Sequence, residues 1–133
     1  MQTEAPQTLP AAPPLIVVVV DDDPAVRGSL KFSLELEGFL VRAYGSASDF
    51  LTAGLDDADC LVIDQRMPAM TGLELIAKLR VQNISTPAVL IISQPNVAVS
   101  DRAAKFGVPI VEKPFLSNAL VEKIRQACKL KAV

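Results

Sequence analysis

The six-residue run Leu15-Ile-Val-Val-Val-Val20 constrains this chain more than any other segment. It is continuously apolar and β-branched, with no polar residue at alternate positions. A strand of that kind is buried on both faces, which places it inside a parallel sheet with helices on either side. The run ends abruptly in Asp21-Asp22-Asp23-Pro24. Asp23 followed by Pro24 is an N-cap and first-turn pair, and Val26, Leu30 and Leu34 carry a helix on to a stop near Gly38. A buried strand thus passes through three carboxylates directly into a helix.

The same alternation continues down the chain. Phe39 to Tyr44 reads as a weaker strand suited to a sheet edge, and Ser46 with Asp49 resembles a capping box before a short helix ending at Gly54. Cys60 to Ile63 is a third strand. Gly72 to Gln82 is amphipathic, with Leu73, Ile76 and Leu79 inward and Glu74, Lys78 and Arg80 outward. Pro87 opens a fourth strand, Ala88 to Ile92. A short or irregular fourth helix is expected around Ser100 to Phe106, then a brief strand from Pro109 to Val111. Ser117 is expected to cap a last helix whose inner side is Leu120, Ile124 and Cys128, with Glu122, Lys123, Arg125 and Lys129 outside. Five strands alternating with five helices predict a doubly wound parallel α/β fold with right-handed crossovers. The chain's 133 residues suffice for one such domain, assigned to residues 15–133. Residues 1–14 carry Pro6, Pro10, Pro13 and Pro14 with little charge, and are expected to form a disordered N-terminal tail.

Composition removes several chemistries. The chain has no histidine, which excludes a Ser-His-Asp or Cys-His nucleophile, a histidine metal site and a histidine phosphocarrier. A net charge of −2 offers no basic surface for nucleic acid. Cys60 and Cys128 form no CxxC pair and sit in apolar contexts, so they read as small buried hydrophobes, not as a disulfide. No lysine or arginine precedes the first strand, so a signal-peptide n-region is missing. The longest apolar run is about a third of what a membrane span needs. A cytoplasmic protein without membrane partners is the expectation.

Ligands of open parallel sheets bind outside the carboxyl ends of the strands, where strand order reverses. Here the first strand ends in Asp21-Asp22-Asp23, the third in Asp64, the fourth in Ser93 and the fifth in Glu112-Lys113. If the strand order is 2-1-3-4-5, the first and third strands are neighbours and their acidic ends converge on one crevice. Each feature alone is unremarkable: aspartates after strands are commonly turn residues or caps, and Lys-Pro is commonly an exposed loop. Their meeting at a single rim is what carries weight. Two carboxylates about 4 Å apart repel by roughly 4 kcal/mol at an effective dielectric near 20, so the group recruits a cation or holds protons. All its ligands are hard oxygens, which favours Mg²⁺. Lys113 suits a phosphate oxygen and Ser93 supplies a hydroxyl donor. A carboxylate in such a site can attack phosphorus and become an aspartyl phosphate.

The segments VVVVDDDPAVRGSL, LVIDQRMPAMTGLEL, VLIIS and VEKPF, in that order, resemble the receiver domain of two-component response regulators. These are flavodoxin-like modules related to the chemotaxis protein CheY, and the resemblance runs from Leu15 to about Leu130. It implies that Asp64 is the phosphoacceptor, that Asp22 binds Mg²⁺ directly, and that Asp21 assists through water. It further implies that Arg66 offers its backbone carbonyl to the metal, that Ser93 is a switch hydroxyl, and that Lys113 meets the phosphoryl group before a cis bond to Pro114. Asp23 is left to cap the helix. The implied partners are a sensor histidine kinase or histidine phosphotransfer protein and a downstream protein of unknown identity, with a homodimer left open. The chain would be a phosphoacceptor that assists its own phosphorylation and dephosphorylation, not an enzyme. Its length leads us to expect both input and output from partners.

Three departures from the family accompany the match. Ile110 stands where receivers carry an aromatic ring, Gln94 follows Ser93 in place of a small residue, and the stretch between Ser93 and Lys113 is short. They motivate an alternative, a binding module on the same scaffold that works without phosphorylation. A Mg²⁺-dependent phosphohydrolase fits less well, because DDDP is not the DxD-Thr/Val nucleophile motif and no cap domain has room. A flavodoxin would need a Ser/Thr/Gly phosphate loop after the first strand, where this chain has aspartates.

Overall fold

The computed structural model describes residues 13–54, 57–113 and 118–132, excluding the side chains of 130–132. Nearly all of the expected tail, Pro114 and the expected cap Ser117 lie outside the described residues. The elements are β1 (Ile16–Val20), α1 (Pro24–Leu36), β2 (Leu40–Tyr44), α2 (Ala47–Ala53), β3 (Cys60–Asp64), α3 (Gly72–Val81), β4 (Ala88–Ile92), α4 (Val97–Lys105), β5 (Ile110–Glu112) and α5 (Ala119–Ala132). One parallel sheet runs in the order β2-β1-β3-β4-β5.

The valine run forms β1 near the sheet's centre, and Val17 to Val20 are each 0% exposed. Burying each side chain contributes about 1.5–3 kcal/mol. Alternation sorts the sheet's side chains into two cores. Val18, Val20, Leu61, Ile63, Leu90 and Ile92 pack with Phe50 of α2, Leu73 and Ile76 of α3 and Ala103 of α4. Val17, Val19, Val62, Val89, Ile91 and Val111 pack on the other face with Leu30 and Leu34 of α1 and Leu120, Ile124 and Cys128 of α5. The apolar periodicity of the helices therefore coincides with the faces they bury. Cys60 and Cys128 are both buried and unbridged, and hydrogen bonding to Cys128 together with burial pushes the Cys60 thiol pKa up.

Local chemistry sets the element boundaries. The Asp23 carboxylate accepts from the amides of Ala25 at 2.9 Å and Val26 at 3.3 Å, with Pro24 opening α1. Thr71 and Glu74 form a reciprocal capping box on α3. At α2 only half of the expected box forms: Ser46 accepts from the Asp49 amide at 3.0 Å. The first and third strands and the third helix each shift by one residue at an end from the sequence expectations, and four further details differ. The fourth helix is short, with nine residues, but starts at Val97 because Asn96 caps it through the Val99 amide at 3.1 Å. The second strand begins one residue later than expected, at Leu40. The fifth strand is Ile110–Glu112, since Pro109 has no amide to donate to the ladder. Arg80 does not stand clear in solvent: its guanidinium folds back to the Ile84 carbonyl at 2.8 Å and is half-buried.

Candidate functional site

Because all strands are parallel, their polar ends reach one rim. Val20 pairs with Ile63, so Asp21 and Asp64 follow side by side as β1 and β3 leave the sheet. Backbone bonds hold these ends: Asp21 N–H donates to the Tyr44 carbonyl at 3.1 Å, Gln65 N–H to Ile91 at 2.9 Å, and Lys113 N–H to Ile92 at 2.8 Å. Asp21, Asp22, Asp64, Arg66, Ser93 and Lys113, the six residues singled out from sequence, all line one open cleft of about 440 Å³, together with Asp23, Met67 and Pro68.

The carboxylates are unequally placed. Asp21 is 1% and Asp64 4% exposed, while Asp22 faces solvent. One carboxylate oxygen from each lies within 4.8 Å of the others. Lys113 reaches between them, its Nζ 3.2 Å from Asp64 Oδ1 and 3.6 Å from Asp21 Oδ2. Burial raises the Asp64 pKa, Asp21 raises it further, and Lys113 pulls it back only in part. Burial lowers the Lys113 pKa, but Asp64 and Asp21 outweigh burial and leave it raised. The ammonium therefore stays charged at neutral pH.

A divalent cation suits this donor set. Asp21 Oδ2 is buried without a hydrogen-bond partner, although its sister oxygen accepts from the Asp23 amide at 2.9 Å. The cleft lining is acidic on balance, with Asp21, Asp22, Asp23 and Asp64 against Arg66 and Lys113. All donors are oxygens, and Asp22 keeps one side open to water, as a reluctantly dehydrating ion such as Mg²⁺ requires.

Other placements were not visible in the sequence. Gly72 opens α3 directly behind the site: a Cβ there would lie 2.7 Å from the Asp64 carbonyl oxygen and 2.7 Å from Leu90 Cδ1. The Gln65 side chain accepts from the Leu73 amide at 2.9 Å and ties the Asp64 loop to α3. Arg27 donates from Nη1 to the Asp21 carbonyl at 2.8 Å. Ser93 lines the cleft but is exposed, and its hydroxyl makes no hydrogen bond among the described residues.

The strand order and the helices on both faces place the molecule in the CheY-like class of flavodoxin-like folds. Within that class the chain belongs to the response regulator receiver domain family, which matches it over residues 17–125. It is 38% identical over 122 residues to the transcriptional regulatory protein FixJ of Azorhizobium caulinodans, covering 90% of this chain and 55% of FixJ. To the C4-dicarboxylate transport transcriptional regulatory protein DctD of Pseudomonas aeruginosa it is 34% identical over 117 residues, covering 86% of this chain and 25% of DctD. The crystal structure of FixJ-N matches with a TM-score of 0.79 and 36% identity, covering 86% of this chain and 94% of that one. The chain thus spans about half of FixJ and a quarter of DctD. No described helix is long and apolar enough to cross a membrane.

Proposed function

We propose that this chain is the phosphoacceptor of a two-component phosphorelay, taking a phosphoryl group on Asp64 from a partner's phosphohistidine and changing its affinity for a second protein. The observation that carries this reading is the buried Asp64 carboxylate 3.2 Å from Lys113 Nζ, in a cleft whose other wall is Asp21 and Asp22. These 133 residues contain no histidine, so on this reading the donor imidazole lies outside them, on a sensor histidine kinase or a histidine phosphotransfer protein.

In the transfer, a carboxylate oxygen of Asp64 attacks phosphorus. A P–O bond forms while the donor's P–N bond breaks, and the departing imidazole takes up a proton. Lys113, held charged between Asp64 and Asp21, is placed to meet the phosphoryl oxygens as they pass. A bound Mg²⁺ would neutralise charge building on those oxygens, and Asp21, Asp22 and Asp64 are the side chains that would hold it, with the Arg66 carbonyl as the ligand the family resemblance adds. Ser93 stands exposed at the cleft edge, free to turn toward an added phosphoryl oxygen. On this reading the chain is a stoichiometric acceptor, not a multiple-turnover enzyme.

Incubation with acetyl phosphate and Mg²⁺ tests the reading by intact mass. The wild-type chain should gain a single phosphoryl group and Asp64→Asn none. No gain in the wild type, or an undiminished gain in the Asn variant, contradicts it.

A phosphorylation-independent binding module is the second reading. It is favoured by the unbonded, exposed Ser93 and by aliphatic Ile110 at the head of β5, which has no ring to follow the hydroxyl inward. Partner binding that survives both Asp64→Ala and removal of phosphodonor would select it.

A further inference from the structure

We infer that Arg27 is a positioning residue for the divalent-cation site, acting through the backbone of Asp21, and that Gly45 exists to leave it room. The inference rests on the proposed function in one respect, that the acidic cleft takes Mg²⁺.

Asp21 sits where β1 leaves the sheet, and three of its four polar atoms are tied down by the chain itself. Its N–H donates to the Tyr44 carbonyl at 3.1 Å, its carbonyl accepts from Arg27 Nη1 at 2.8 Å, and its Oδ1 accepts from the Asp23 amide at 2.9 Å. The fourth atom, Oδ2, is buried, lacks a hydrogen bond and faces the cleft, with Lys113 Nζ 3.6 Å away. The direction of that oxygen therefore depends on the two peptide units that flank the Asp21 Cα, the preceding one held by Tyr44 and the following one by Arg27.

Arg27 lies in the first turns of α1 and is half-buried. Among the described residues it forms no ion pair, so its guanidinium is committed to a backbone carbonyl beside three carboxylates. Gly45 directly follows Tyr44. A Cβ at Gly45 would stand 3.2 Å from Arg27 Nη1, tighter than an ordinary contact, and 3.5 Å from its Cζ, so the guanidinium would have to give by a few tenths of an ångström. The end of β2 thus does two things for Asp21: Tyr44 receives its amide, and Gly45 admits the side chain that holds its carbonyl.

Charge and position make opposite predictions, which allows a clean test. An arginine acting only as a nearby positive charge weakens Mg²⁺ binding by repulsion, so its removal tightens binding. An arginine that orients a ligand strengthens binding, and its removal loosens it. Partners that orient metal ligands commonly change affinity by tenfold or more. An arginine that merely ties α1 to the sheet moves stability and leaves Mg²⁺ affinity alone.

The experiment is titration of the full chain with Mg²⁺ at fixed ionic strength, followed by calorimetry and by amide shifts of residues 21–23. The variants are Arg27→Ala, Arg27→Lys and Gly45→Val. Arg27→Ala is expected to weaken Mg²⁺ about tenfold, with Arg27→Lys between it and wild type. Gly45→Val keeps the charge but occupies the guanidinium's space, and is expected to weaken Mg²⁺ in the same direction. It also carries the test should Arg27→Ala fail to fold. Wild-type binding with unchanged or tighter binding in Arg27→Ala overturns the role of Arg27 alone. Absence of any saturable Mg²⁺ response in the wild type overturns the cation reading and this inference with it.

Discussion

Asp64 ends a strand whose other members are apolar, and the residue is 4% exposed beside Asp21 at 1%. Burial first and Asp21 second raise its pKa above the unfolded value. The folded protein therefore binds that proton more tightly than the unfolded chain does. The resulting stabilisation is complete below the ordinary carboxylate pKa and is lost as pH rises through the raised folded value. At neutral pH without metal, the ionised Asp64 works against folding. Asp64→Asn should then melt higher than wild type by about 4 °C, the shift that about 1 kcal/mol makes in a domain of this size. Adding Mg²⁺ should narrow the gap. A lower melting temperature for the Asn variant in metal-free buffer would show that the Lys113 pairing outweighs burial. Gly72 supplies a second test at this scale. A methyl group at Gly72 would meet the Asp64 carbonyl oxygen and Leu90 Cδ1 at 2.7 Å, and the backbone oxygen cannot swing aside. Gly72→Ala should cost about 1–3 kcal/mol in denaturant unfolding. Asp21, Asp22, Asp64, Ser93 and Lys113 were legible in the sequence because each lies within two residues of the end of an apolar run. Gly72 and Gly45 were not, because their necessity comes from Leu90 and Arg27, neighbours that only the folded chain brings near.

At the scale of elements, the boundaries followed the capping chemistry wherever it was strong. Asp23-Pro24 marked α1, and the valine run marked β1 before any contact was known. α4 was harder to place. Only Ala103 in it is buried and Val97 is 78% exposed, so its apolar stripe is faint, and Pro95 directly before Asn96 reads as a loop. The deciding signal was the Asn96 cap, which holds the Val99 amide at 3.1 Å. Asn96→Ala should destabilise the protein by about 1 kcal/mol and fray the start of α4, seen as lost hydrogen-exchange protection at residues 97–100. Protection unchanged there would mean that packing through Ala103 and Val99 holds the helix without its cap. Thr71, the cap of α3, was missed in the sequence, although Thr followed three residues later by Glu ahead of an apolar run is the signal that finds it.

At the scale of the whole molecule, two apolar faces enclose the sheet and leave polarity to its ends, so the carboxyl-end rim is the natural place for chemistry. Hydrophobic pattern alone announced a parallel α/β fold. The order β2-β1-β3-β4-β5 came with the class of fold that the motifs resemble, since no local signal says which strands are neighbours. That order makes the acidic ends of β1 and β3 adjacent and lets Lys113 reach both Asp21 and Asp64.

The central claim is that the four strand ends act as one phosphoryl site. Its most direct test is NMR of the chain titrated with beryllofluoride, a mimic of the phosphoryl group, in the presence of Mg²⁺. Saturable one-to-one shifts are expected at Asp21, Asp22, Asp64, Ser93 and Lys113 that need Mg²⁺ and vanish in Asp64→Asn. Shifts that persist in Asp64→Asn, or a wild-type spectrum that does not respond at these residues, would contradict it.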